Sequence, residues 1–433
     1  MRKLACLLLP LALAACHRGA PGADDVLAGV DAAHADPAAA WTVREWPLPA
    51  PAGSAMPELA TAPDGRLMLA WINRTEGRRN ALQFVAMGEN GRWYSGARTI
   101  AVGDSLMVNW ANTPHIAQTT DGALWVEFMQ KAGTGHAGNV ALSRSSDGGF
   151  NWATPIAVND DGVEAEHGFA ALWPASRDEI GVAWLDGRDN AGGEMHGEGD
   201  ARRGAHAMPG EGRTALRAAV FDMNLQRSGE AVVDAKTCDC CQTAIAMTSR
   251  GPLLVYRDRS DAEIRDIAAV RYDGKTWSAP VAVHADGWKI EGCPVNGPAV
   301  AADGDAALVA WYTEAGGQPS VRVARSDDAG DSFGAPVAID AGAEVDGRVA
   351  IALDERQAWI LWIREDATGQ SLWLSRRTPD LAREYQRLEV AKLQGRGRGT
   401  GFPKIALRDG AGYVAWTDVV GGVPQLRGAA IAP

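Results

Sequence analysis

The chain has 433 residues and a formal net charge of −12, with 42 basic against 54 acidic side chains. That balance excludes a nucleic-acid-binding or anionic-lipid-binding surface and favours only solubility. Fifty Gly and sixteen Trp suit a chain of many tight turns and many packed strands.

Arg2 and Lys3 give a short basic start, and Leu4 to Ala15 make an apolar stretch too short to span a bilayer as a stable helix. It ends in Leu13-Ala14-Ala15-Cys16, which is similar to a bacterial lipobox. The resemblance implies cleavage before Cys16 and acylation of that residue, moving the formal charge from −12 to −14 as Arg2 and Lys3 leave. A diacylglyceryl and an N-acyl chain exceed the two signals that stable anchoring takes. His17, in place of Asp, resembles an outer-membrane address, so the expectation is a monomeric cell-envelope lipoprotein on the periplasmic or surface face. Residues 1–16 are thus a signal segment. Residues 17–40, rich in Ala, Gly, Pro and Asp, read as a flexible tether.

From residue 41 onward one pattern repeats: a short apolar strand, a turn often made of Asp-Gly, and a second strand ending on an aromatic residue. It occupies 57–71, 114–128, 167–184, 241–256, 296–311, 347–362 and 403–416. Aligned on Ala60, Ala117, Ala170, Ala244, Ala299, Ala350 and Ala406, five of the six intervals fall between 51 and 57 residues. Two further strands follow in each unit, as at 139–144 with 154–158. The predicted fold is therefore all-β, a single β-propeller of four-stranded antiparallel blades over 41–433. Seven blades is the favoured count and six the alternative. The last unit has only three strands, and the spare strand at 41–49 is expected to close the ring and hide both sheet edges.

Ser145-Ser-Asp147-Gly-Gly149-Phe-Asn-Trp152 fits the pattern S-x-D-x-G-x-x-W, and Ser326-Asp-Asp328-Ala-Gly330-Asp-Ser-Phe333 fits with Phe for Trp. On these turns the chain resembles the sialidase-like, Asp-box propeller family, in an exported lipoprotein branch. In that pattern Asp147 and Asp328 accept turn amides, Gly supplies backbone freedom, and the aromatic residue packs between blades. The resemblance implies a structural role for these turns, because they lie away from the ligand face in sialidases.

In a blade the start of strand one and the end of strand two share the rim near the axis. The starts carry Glu58, His115, His167, Gln242, Asn296, Arg348 and Lys404; the ends carry Arg74, Asp186, Arg188, Arg257, Asp258, Arg259, Glu314, Arg364, Glu365 and Asp418. The long interval in the third unit comes from a Gly-rich insertion at 189–212, with Met195, His196, His206 and Met208, placed to fold over this mouth. Cys238, Cys240, Cys241 and Cys293 stand at the starts of the fourth and fifth units, so all four thiols should meet on the same rim.

Several readings of the mouth stand. An oxidising compartment favours two disulfides, although three Cys within four residues are cramped for bridge geometry. Soft thiolates beside His115, His167, His196 and His206 would suit copper or zinc. A third state has one disulfide and two Cys free for metal or exchange. The family resemblance implies an exo-acting glycosidase on acidic sugars, in which Arg257, Arg259 and Arg348 grip a carboxylate while Asp186 or Asp258 handles protons. The family's Phe/Tyr-Arg-Ile-Pro motif is absent from the chain. A metal, small-molecule or glycan ligand at the mouth, or a docked protein, are the partners considered; the metal reading is favoured.

Overall fold

This computed structural model describes residues 26–74, 79–88, 90–94, 96–133, 135, 137–190 and 213–433. Cys16, His196, His206 and most of the 189–212 insertion lie outside the described residues.

Seven four-stranded antiparallel sheets form the fold. Six of them use consecutive strands, beginning at Ser54, His115, His167, Ala244, Ala299 and Val345. The seventh joins Lys404–Arg408, Ala411–Val420 and Val423–Ala432 to the N-terminal strand Thr42–Glu45. In that closing pair Thr42 stands opposite Ala432 and Glu45 opposite Ala429. Each inner strand touches the inner strands of both neighbouring blades all the way round, which makes the seven sheets a propeller.

The strands differ in composition because they differ in surroundings. Second strands are covered on both faces by neighbouring blades, and they read as continuous apolar runs: Leu67–Arg74 and Ala358–Glu365 are buried over their first six residues. Fourth strands lie on the outer edge and are polar, as in Arg227–Thr237. Inner strands carry the repeated Ala, a side chain small enough for seven strands to converge.

At the mouth three inner strands break register. The bulges lie between Ala55 and Glu58, between Gly168 and Ala171, and between Gly347 and Ala350. Each contains a residue in the left-handed region: Met56 at φ 59°, Phe169 at 51° and Arg348 at 51°. Non-glycine residues hold such angles only where surroundings compel it. Here the compulsion is visible. The amide of Met56 donates to Thr417 Oγ1 (3.1 Å), that of Phe169 to Asn112 Oδ1 (3.0 Å), and that of Arg348 to Asn296 Oδ1 (2.7 Å). Each acceptor belongs to the preceding blade or the segment leading into it.

On the opposite rim, Asp147 accepts the amides of Phe150 and Asn151, and Ser145 Oγ accepts that of Gly149. The Asn151 backbone bond holds the Asp147 carboxyl down to about 2. Gly149 lies at φ +86°, and a Cβ there would stand 2.2 Å from the Phe84 ring. The turn at Asp328 repeats this arrangement, with Leu253 against Gly330.

Two expectations change. Residues 26–40, read from composition as part of the tether, pack on the ring: Leu27 and Ala32 join the core of the sixth and seventh blades. Arg376, buried between Trp41 and Trp359, donates to the carbonyl of Pro37 at 2.7 Å. The apolar residues of 26–32 and the carbonyls that follow supply what composition alone concealed. The four cysteines of the mouth are free thiols.

Ring closure rests on Trp46, which is fully buried, stacks on Trp93 at 5.3 Å and meets Tyr413 edge-on at 4.9 Å. Replacing it (Trp46→Ala) is expected to cost about 3–5 kcal/mol in urea unfolding. An unchanged midpoint would show that the closing segment contributes little.

Candidate functional site

The mouth is closed along its axis by the segment 104–114, which leads into the second blade. Trp110 stacks on Phe402 of the seventh blade at 5.7 Å, and the carbonyl of Ala111 accepts from Gln242 of the fourth at 2.7 Å. Asn112 holds the bulge of the third, and the Arg348 guanidinium of the sixth lies over the Trp110 ring at 5.2 Å. A segment tied to four blades fills the place where a central ligand would sit.

The arginines of the expected carboxylate clamp are also engaged. Arg257 is buried and donates to the carbonyls of Asn296 (2.8 Å), Arg265 (2.7 Å) and Tyr312 (2.8 Å), beneath Trp288. Arg348 donates to Gly397 O and Thr400 Oγ1, both at 2.9 Å, and pairs with Asp346 at 3.0 Å. Arg259 forks onto Glu263 at 2.8 Å. These guanidiniums staple loops together: each supplies several donors to buried carbonyls that would otherwise go unpaired, and those bonds offset its own desolvation in part. Sequence spacing could not reveal this, since the carbonyls come from distant loops.

The expected metal ligands divide into separate groups. His115 Nδ1 lies 3.0 Å from Glu127 Oε2, a carboxylate fully buried in the second blade. His167 stands with Asp161 and Asp186, in a group that includes none of the cysteines. Among the described residues no histidine joins the cysteine cluster.

The thiols themselves do converge. The chain leaves the third blade at Thr237, the Cys238 amide donates to the Arg257 carbonyl (3.0 Å), and the next residues turn tightly. That turn brings Cys238 Sγ to 3.3 Å from Cys241 Sγ and 3.7 Å from Cys240 Sγ. Cys240 is shared with a second group made with Asp239 and Cys293, the latter's Sγ lying 3.6 Å from Asp239 Oδ1. Exposure grades across the set: Cys238 and Cys241 are buried, Cys240 is half-buried and Cys293 is exposed.

Arg265, nearly buried, places Nη1 3.3 Å from Cys238 Sγ and pairs through Nη2 with Glu263 at 3.0 Å. Burial alone would raise the Cys238 thiol, but hydrogen bonds from Cys240 and Cys241 and the Arg265 charge outweigh it, so its pKa falls well below the ordinary value. Burial and the neighbouring Cys238 sulfur push Cys240 and Cys241 upward. Of the three sulfurs, Cys238 is therefore the one inclined to ionise first, and a bound cation would displace the remaining thiol protons to solvent.

Sequence reading placed Glu263 and Arg265 in a candidate carboxylate-binding cluster and not beside the cysteines, and it missed Asp161. Arg265 and Glu263 lie in the Arg-rich stretch after Tyr256, whose density was the available signal. Asp161 precedes Gly162 and reads as ordinary turn chemistry.

Among solved structures the fold is similar to a protein of unknown function from Dyadobacter fermentans (13% identity, 88% of this chain and 95% of that one, TM-score 0.47). It is similar also to an α-L-arabinofuranosidase from Fusarium graminearum (11% identity, 88% and 93% covered, TM-score 0.45). An ulvan lyase is a third (11% identity, 78% and 79% covered, TM-score 0.43). No protein-family model and no curated protein matches the chain. Identities this low assign no activity.

Two predictions follow from the pairing. Replacing Arg257 with Leu strands buried carbonyls, and urea unfolding should show a loss on the order of 3 kcal/mol or more; unchanged stability would return Arg257 to the list of free ligand groups. Asp258 is pushed up from 3.8 to about 6 by burial, with the Asp234 and Asp266 charges adding to it. Its protonated form favours the fold, so its contribution is complete below 3.8 and disappears as pH rises through about 6. Asp258→Asn should flatten that part of a melting-temperature profile, and a slope identical to the parent's would refute the assignment.

Proposed function

We propose that this protein is an envelope-anchored propeller that binds a soft metal ion, copper(I) by its donor set, through Cys238, Cys240 and Cys241. The observation that carries the reading is the gathering of three sulfur ligand atoms within 4.8 Å of one another, joined by no imidazole among the described residues. Separations of 3.3 and 3.7 Å leave room for one ion at thiolate bonding distance, about 2.3 Å. Three thiolates with few hard donors favour copper(I), and Asp239 and Cys293 at the edge make zinc the alternative occupant. Arg265 offsets negative charge that three thiolates would otherwise concentrate in a buried place. Lipid attachment at Cys16 would hold the ring at the membrane, and Cys293 faces solvent as the outermost of the four thiols.

The acidic-sugar reading has less support, because Arg257, Arg259 and Arg348 have their guanidiniums engaged and 104–114 fills the axis.

The test is elemental analysis and thiol titration of the chain lacking residues 1–16, purified from periplasm without chelator. The expected result is about one copper per chain, with thiols that react only after its removal. Cys238→Ser should abolish stoichiometric binding, and Arg265→Leu should weaken it about 10- to 100-fold in competition with a chromophoric copper(I) chelator. No metal together with no titratable thiol would sink the proposal and establish disulfides instead.

A further inference from the structure

We propose that Asp161, His167 and Asp186 form a second metal site, for a divalent ion of borderline character such as zinc, sharing no residue with the thiolate cluster. His167 opens the inner strand of the third blade and is fully buried. Its Nδ1 lies 3.1 Å from the carbonyl of Gly138, which can only accept, so the ring proton sits on Nδ1. Nε2 then faces Asp161 Oδ2 at 3.1 Å and Asp186 Oδ1 at 3.7 Å. His167 Nε2 is buried with no hydrogen-bond partner, and the buried Asp161 Oδ2 is met only by ion pairing, with Arg188 at 3.1 Å. A nitrogen lone pair beside carboxylate oxygens away from water needs positive charge close by, and in this structure the Arg188 guanidinium supplies it.

The surrounding contacts are those that orient metal ligands. The Gly138 carbonyl fixes the imidazole through its other nitrogen, and Trp184 Nε1 holds Asp186 Oδ2 at 2.8 Å, leaving Oδ1 toward the imidazole. One imidazole and two carboxylates make a nitrogen–oxygen donor set, which suits zinc and its neighbours over copper(I).

Arg188 occupies the cation seat in this arrangement. It forks onto Asp186 at 2.7 and 2.6 Å and reaches Asp161 at 3.1 Å, while its side chain keeps 22% exposure and lies 3.7 Å from Glu230. An ion entering from the solvent side would displace the guanidinium toward Glu230. Arg217, 3.7 Å from Asp186 and 3.0 Å from Glu230, completes the charged groups around the pocket. Arg188 is thus a stand-in that a divalent ion must outcompete.

Cobalt(II) is the probe, because thiolate-bound cobalt gives intense near-ultraviolet charge transfer and nitrogen–oxygen-bound cobalt gives only weak visible bands. The expected result, in the chain lacking residues 1–16 with Cys238, Cys240 and Cys241 changed to Ser, is about one cobalt with weak bands alone, displaced by zinc. Asp161→Asn and His167→Gln should each weaken binding at least about tenfold, and Arg188→Ala should tighten it. If the triple variant does not fold, the same weak bands are sought in the parent chain beneath the thiolate signal. Absence of a nitrogen–oxygen cobalt signal overturns the proposal. So does a nitrogen-15 spectrum in which both His167 ring nitrogens stay protonated with zinc present. Loss of the thiolate signal alone would count against the copper reading and leave this site standing.

Discussion

The amides of Met56, Phe169 and Arg348 each donate across a blade boundary to a side chain of the unit before, and much of the molecule depends on that repeated bond. Seven inner strands cannot run straight to the axis without crowding. A bulge shortens the ladder and turns the strand aside, and it leaves one residue in a left-handed conformation with an amide outside the sheet. Thr417, Asn112 and Asn296 take those amides, so the geometry of the first, third and sixth blades is set partly by the unit before each. The mouth is consequently a rigid rim. Side chains placed on it keep their separations without needing loops of their own to be ordered first.

On that rim most of the charge is consumed internally. Arg257 and Arg348 bind carbonyls, Arg259 binds Glu263, and His115 faces Glu127. Among the described residues, two groups of metal-ligating atoms stand out: sulfur atoms at one place, and an imidazole nitrogen with carboxylate oxygens at another. Those two sets differ in hardness, so the two proposed sites would prefer different ions.

Much of the fold was legible because a propeller repeats its physics. The Ala of each inner strand and the aromatic residue ending each second strand recur at blade spacing, and the outer strand missing from the last unit pointed to Thr42–Glu45. The convergence of the four thiols was legible too, since strand starts of adjacent blades share a rim. What could not be read was the partner of each charged side chain. Arg348 reads as a ligand-binding group until Gly397 and Thr400, about fifty residues away, are seen beneath it. The plugging role of 104–114 was equally hidden, because Trp110 finds Phe402 only once the ring closes. Residues 26–40 looked like tether by composition, yet Leu27 and Ala32 bury themselves and Arg376 reaches Pro37.

The pairing of Thr42 with Ala432 spans 390 residues of chain and sets the order of assembly. Contacts of such separation carry a large loop-closure cost and form late. The strand Val423–Ala432 follows every other described strand in the chain, and until it pairs with Thr42–Glu45 the ring stays open. During that interval the growing chain presents open strand edges that could pair with another copy. Delayed closure would therefore favour aggregation over a finished ring.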